Sequence, residues 1–67
     1  MPDPRAVEPL TRLLHDQEDP LVRQAAAFSL GDNGSPAAVS ALESALDTER
    51  DSSVRDAIEE SLTKLRA

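Results

Sequence analysis

Asp19-Pro20-Leu21-Val22-Arg23-Gln24-Ala25-Ala26 returns 32 residues later as Asp51-Ser52-Ser53-Val54-Arg55-Asp56-Ala57-Ile58. The Asp, the Val-Arg pair and the first Ala are identical in the two copies, and the likeness extends outward without a gap. Upstream it takes in Pro4/Pro36, Ala6/Ala38, Val7/Val39, Leu10/Leu42 and Leu14/Leu46, and downstream Ser29/Ser61 and Leu30/Leu62. A fixed period in this range is the mark of stacked supersecondary units. Such units touch only their neighbours and present an extended surface to a partner.

Within each copy the local signals are helical. Asp3-Pro4, Asp19-Pro20 and Ser35-Pro36 each place a capping oxygen before a Pro. The cap side chain accepts from a free N–H of the first turn, and Pro fits the first helical position, where its missing N–H has no partner to lose. Asp51-Ser52 repeats the cap without the Pro. These marks predict helices near 4–15, 20–30, 36–46 and 52–65.

Apolar spacing agrees, with stripes at Val7, Leu10, Leu13 and Leu14; Val22, Ala25, Ala26 and Leu30; Val39, Leu42, Ala45 and Leu46; and Val54, Ala57, Ile58, Leu62 and Leu65. Steps of three and four residues are helical. On this register Ala25 and Ala26 are expected at a tight helix–helix crossing, and Gly31 is expected to close the second helix in a left-handed conformation. Pro9 is expected to kink the first helix or delay its regular part. Short links require successive helices to run antiparallel. The fold class is all-α, a short α-solenoid of four antiparallel helices, and residues 1–67 are expected to form a single domain.

Composition narrows the function. Sixty-seven residues leave room for one small core, and a chain of this size buries only about 60% of the surface its unfolded form exposes. There is no Cys and a single His, which excludes disulfides, Cys-based metal sites and His clusters. Thirteen acidic residues against seven Lys and Arg give a net charge of −6. That sign repels phosphate backbones and anionic lipid, so neither nucleic acid nor membrane is an expected partner. The N-terminus lacks the basic start and apolar stretch of a signal peptide, and the expected location is cytoplasmic.

The segment Asp19-Pro20-Leu21-Val22-Arg23-Gln24-Ala25-Ala26, with Leu30-Gly31, Gly34 and Ala38-Val39, resembles the HEAT-like repeat of the phycobilisome (bilin) lyase type. Pro4-Arg5-Ala6-Val7-Glu8-Pro9-Leu10 is similar to the second-helix opening of that repeat, and Asp51, Val54, Arg55, Ala57 and Leu62 to a further first helix. The likeness covers about residues 4–65 and amounts to about two repeats. Thr63 and Lys64 replace Gly31 and Asp32 in the last copy, a departure that suggests the array stops there. The resemblance implies that the second helices line a concave, partner-binding face.

Few residues invite a chemical role. Arg23 and Arg55 recur in one slot, as do Asp19 and Asp51. A charged binding ladder is one reading; the plainer one is that the Asp residues cap helices and the Arg residues bridge to a neighbouring Asp or to carbonyls of the adjoining repeat. His15 is the one side chain whose unperturbed charge changes near neutrality, but a surface His at a helix C-terminus is its ordinary setting. Glu59/Glu60 and Glu49/Asp51 are expected to be solvated. No catalytic, cofactor-binding or metal-ligating residue is assigned, and no cofactor is expected.

Two surface features remain. The repeat offset stacks Glu8 on Ser40, Thr11 on Glu43, Arg12 on Ser44 and His15 on Asp47, a polar row suited to a protein partner. Leu13, Leu21 and Phe28 form an apolar set suited to self-association, since the mates of Leu21 and Phe28 are the polar Ser53 and Glu60. The expected function is a protein–protein interaction or scaffold module presenting a helical-repeat groove. It is expected to act on another protein, with a homodimer as a further possibility, and not to be an enzyme. The alternative implied by the resemblance is a subunit or fragment of a bilin lyase-like, chromophore-handling enzyme.

Overall fold

Every helical segment but one starts where a side-chain oxygen caps it; the exception is the regular helix at Val7–Asp16, which has Ala6 at its cap position and continues from a capped 3₁₀ turn. In the computed structural model, which describes residues 3–67, the Asp3 carboxylate accepts from the N–H of Arg5 and opens a 3₁₀ turn over Pro4–Ala6. That turn leads into α1 (Val7–Asp16). Asp19 accepts from Leu21 at 2.9 Å and starts α2 (Pro20–Asn33). The Ser35 hydroxyl accepts from Ala38 at the head of α3 (Pro36–Thr48). Asp51 accepts from both Ser53 and Val54 ahead of α4 (Ser52–Arg66).

The helices form two layers, α1 beside α3 and α2 beside α4, with principal extents of 28 × 23 × 17 Å. The most extensive contact is α2 on α4, and α2 also packs on α1 and α3. Leu14, Leu30, Leu42, Val54 and Ile58 are the largest enclosed side chains, one or two from each helix. Removing a Leu or Ile of this kind typically costs about 2–5 kcal/mol.

The structure departs from the sequence reading in two places. α2 runs through Gly31 and Asp32 to Asn33, and Gly34, not Gly31, takes the left-handed conformation with φ of 73°. Gly31 is instead buried against α4, where a Cβ would stand 2.8 Å from that of Ser61. Its glycine is required by packing, and the helix continues because Gly34 lies one turn later in a position with room to reverse the chain.

The second departure concerns the small residues of α2. Ala26 and Ala27 are buried, whereas Ala25 is exposed. The copies suggested equivalence of Ala25 and Ala57, yet Ala57 is buried, because α2 supplies α4 with a neighbour on that side. At Pro9 the expectation was a kink in α1 or a delay of its regular part, and the structure has the delay. Pro9 occupies the first α-helical turn, where no intrahelical N–H bond is forfeited. The regular helix is delayed to Val7 and preceded by the tighter turn over Pro4–Ala6.

Candidate interaction surface

The loops at one end of the stack are held by the recurrent arginines. Arg23 donates from Nη1 to the carbonyl oxygens of Gln17 and Glu18, both at 2.8 Å. Arg55, one repeat on, donates from Nη1 to the carbonyl of Glu49, the mate of Gln17, and to that of Leu46. The Arg slot is therefore a fold device that ties each first helix to the loop before it, and a free binding ladder is not formed at Arg23.

Arg23 does more than Arg55. Its Nε and Nη2 make a two-pronged pair with the Glu49 carboxylate at 2.9 and 3.1 Å, linking α2 to the α3–α4 connection. The Glu49 side chain is only 8% exposed, so the expectation of a solvated acid at this position is overturned. Burial pushes the Glu49 carboxyl up, but the Arg23 hydrogen bond and the N–H groups of Asp51 and Arg50 outweigh it and hold it below its ordinary range. Arg23 is correspondingly raised, first by the Glu49 hydrogen bond. Nothing in the sequence singled out Glu49, because its mate is Gln17 and the pair exists in one copy alone.

Above this pair lies a cleft of about 330 Å³ between the C-terminal ends of α1 and α3. Its floor is Leu14 and Ala45, and its rim is His15, Arg23, Thr48, Glu49 and Arg50. Arg23 and Glu49 are spent on each other. His15 and Arg50 are exposed, and neither makes an ion pair among the described residues.

The polar row on α1 and α3 lies on the surface as its spacing suggested. Glu8, Arg12, His15, Ser40, Glu43, Ser44 and Asp47 are all exposed, and Thr11 is half-buried. Much of its charge is already matched. Arg12 pairs with Glu8 one turn away, and Glu43 pairs with Arg66 from α4. The Thr11 hydroxyl turns back to donate to the Val7 carbonyl. The open polar groups are thus Ser40, Ser44, Asp47 and His15, running toward the cleft that His15 lines.

Leu13, Leu21 and Phe28, the expected apolar set, are exposed by 39%, 72% and 39%. Among the described residues no three His, Asp or Glu side chains converge as metal ligands would, and no buried side-chain polar atom lacks a hydrogen-bond partner. Among the described residues no helix is long and apolar enough to cross a membrane.

Residues 1–63 match the family described as HEAT repeats. The chain belongs to that family. The match is to HEAT repeats as a whole, which accounts for paired helices recurring every 32 residues and for the α2–α4 stacking. A segment of similar sequence occurs in a protein named epoxyqueuosine reductase from Bacillus subtilis (strain 168), 37% identical over 65 residues. The alignment covers 97% of this chain but spans only 17% of that relative. No solved structure matches the chain.

Proposed function

We propose that this HEAT-repeat chain is a protein-binding scaffold module, and that it receives its partner on the α1/α3 row that ends in the His15–Arg50 cleft. The observation that carries this reading is the cleft itself. It is concave, has an apolar floor and is rimmed by two uncommitted basic side chains, at the end of a row of small hydroxyls. A polypeptide segment laid along Ser40 and Ser44 would reach the cleft with an apolar side chain for the floor and a carboxylate for His15 and Arg50. Pockets of this kind combine an apolar body with a few placed polar groups.

The likeness to a segment of a protein named as a reductase supports a related possibility, that a module of this kind serves as an accessory part of a larger enzyme. The bilin-handling alternative gains nothing from that name. Among the described residues, Arg23 and Glu49 are bound to each other, and the Ser61 hydroxyl donates to the Ala27 carbonyl.

Site-specific photo-crosslinking in the native host tests the assignment. A photoreactive residue replacing Ser44 should capture a defined protein, and one replacing Glu59 on the outer side of α4 should not. Arg50→Glu should abolish the Ser44 adduct. Equal capture from both positions, or an adduct indifferent to Arg50→Glu, would refute it.

A further inference from the structure

Asn33 is the single asparagine of the chain, and Gly34 follows it. Its side-chain amide is occupied at both ends. Nδ2 donates to the Asp3 carbonyl at 2.8 Å, and Oδ1 accepts from the N–H of Ser35 at 3.2 Å. Ser35 is the repeat mate of Asp3, so one amide bridges the cap residues at the heads of the α1 and α3 segments. Leu65 stands in the matching slot of the later copy, so the bridge is built once.

The same two residues can react with each other. In an Asn-Gly sequence the backbone nitrogen of Gly can attack the Asn side-chain carbon Cγ, because no Cβ on the second residue obstructs the approach. Three local features favour the attack. Gly34 is exposed, so water reaches the corner. Its N–H is held by the Leu30 carbonyl at 3.4 Å, longer than an ordinary bond of this kind. The Ser35 N–H already faces Oδ1, the atom on which negative charge develops during the attack. Two features oppose it: the Asp3 bond ties down the amide, and Asn33 is held as the last residue of α2. The side chain must leave Asp3 and turn onto its own C-terminal neighbour before Cγ is reached. Opening of this corner therefore sets the rate, and segments at helix ends open most readily.

We infer that Asn33 is a self-modification site: the Gly34 nitrogen converts its amide to a carboxylate, and loss of the amide unties the N-terminal turn from the α2–α3 corner. The inference does not rest on the partner-binding reading, because the cleft lies at the opposite, C-terminal ends of α1 and α3.

The Gly34 nitrogen gives up its proton and bonds to Cγ. The bond from Cγ to Nδ2 breaks, and Nδ2 leaves with that proton as ammonia. The cyclic imide takes up one water and opens at either carbonyl, to aspartate or to isoaspartate. The sum is amide and water to carboxylate and ammonium, with no change of oxidation state. Aspartate at position 33 has no N–H for the Asp3 carbonyl, so two acceptors are left to each other. It also adds a negative charge beside Asp32 in a chain already at −6. Isoaspartate lengthens the backbone by a carbon directly before Gly34, where the left-handed turn is made. Neither product returns to the amide, so the change runs one way.

Peptide mapping by mass spectrometry, on the whole chain held at mildly alkaline pH, should show aspartate and isoaspartate accumulating at position 33 with ammonia released in step. The rate should rise with pH, since the attacking nitrogen must lose its proton. In the urea-unfolded chain it should be about tenfold faster or more, because the corner no longer has to open. Asn33→Gln, whose amide sits one methylene further out, should suppress the ammonia. Asn33→Asp makes one product directly. It should speed hydrogen exchange severalfold at Ala6, whose N–H shares the Asp3 carbonyl, and leave α4 unchanged. No conversion in the folded chain after many unfolded-state half-lives, equal rates folded and unfolded, or Ala6 exchange unmoved by Asn33→Asp would overturn the assignment. If Asn33→Asp unfolds, the rates measured on the unaltered chain decide the matter.

Discussion

Gly31 and Ser61 stand so close that the space for a Gly31 side chain is already taken. A Cβ built there would lie 2.8 Å from both Cβ and Oγ of Ser61, and the same serine donates to the Ala27 carbonyl at 3.1 Å. The approach of α2 to α4 thus rests on a missing side chain on one helix and a short, hydrogen-bonded one on the other.

Gly31→Ala should therefore destabilise the protein by about 1–3 kcal/mol, the usual range for overpacking. In an exposed helix the same change would gain up to about 1 kcal/mol from propensity. Chemical denaturation of Gly31→Ala, Ser61→Gly and the double variant gives the coupling, and Gly31→Ala should cost much less once Ser61 is Gly. Additive effects would place the clash elsewhere.

Gly34→Ala should destabilise for a different reason. Around Gly34 there is room, with Leu65 at 3.9 Å, but the backbone has φ of +73°. A side chain in that conformation costs about 1–2 kcal/mol, so Ala should lower the denaturation midpoint and Asn should lower it less. Gly34→Ala should not depend on residue 61.

Glu49 joins Arg23, Arg50 and Asp51 at one carboxylate. Glu49→Ala removes these bonds and leaves a largely buried guanidinium with fewer partners, a loss of about 1–3 kcal/mol. Arg12→Ala breaks only the exposed pair with Glu8, worth about 0.3–0.5 kcal/mol for such helix pairs. Urea midpoints should rank the two variants in that order.

Acid should find the same weak point. The folded Glu49 carboxyl lies below its ordinary value of 4.5, and Asp51 lies below 3.8, held there first by the Ser53 hydroxyl and then by the Val54 N–H. A depressed carboxylate contributes stability that is complete above its unfolded value and is lost as pH falls through the folded one. The midpoint should hold steady above about pH 4.5 and then drop on acidification, and Glu49→Gln should flatten the upper part of that drop. A midpoint that rises on acidification through this window would contradict the assignment.

Much of this fold was legible in the chain because the signals that specify it are local. Asp19 and Asp51 cap helices by bonds to residues two or three positions away, and Pro20 and Pro36 sit where helices begin. The roles that escaped are those set by the other layer. Gly31 has the composition of a cap, and only Ser61 on a different helix reveals it as a packing residue. Ala25 and Ala57 are identical in sequence and opposite in burial, because one has a neighbouring helix and the other does not. Glu49 looked like one more surface acid, and its partner is 26 residues away. On the candidate surface, exposure of the α1/α3 row followed from spacing, but the pairing of Glu43 with Arg66 did not.

The stacking of α2 on α4 fixes which surfaces are closed and which remain open, and a nuclear Overhauser measurement tests it most directly. In the folded protein in solution, an α-proton of Gly31 should give a strong cross-peak to the β-protons of Ser61. Weak or absent transfer between these two residues, with the rest of both helices intact, would contradict the repeat packing from which the closed and open surfaces follow.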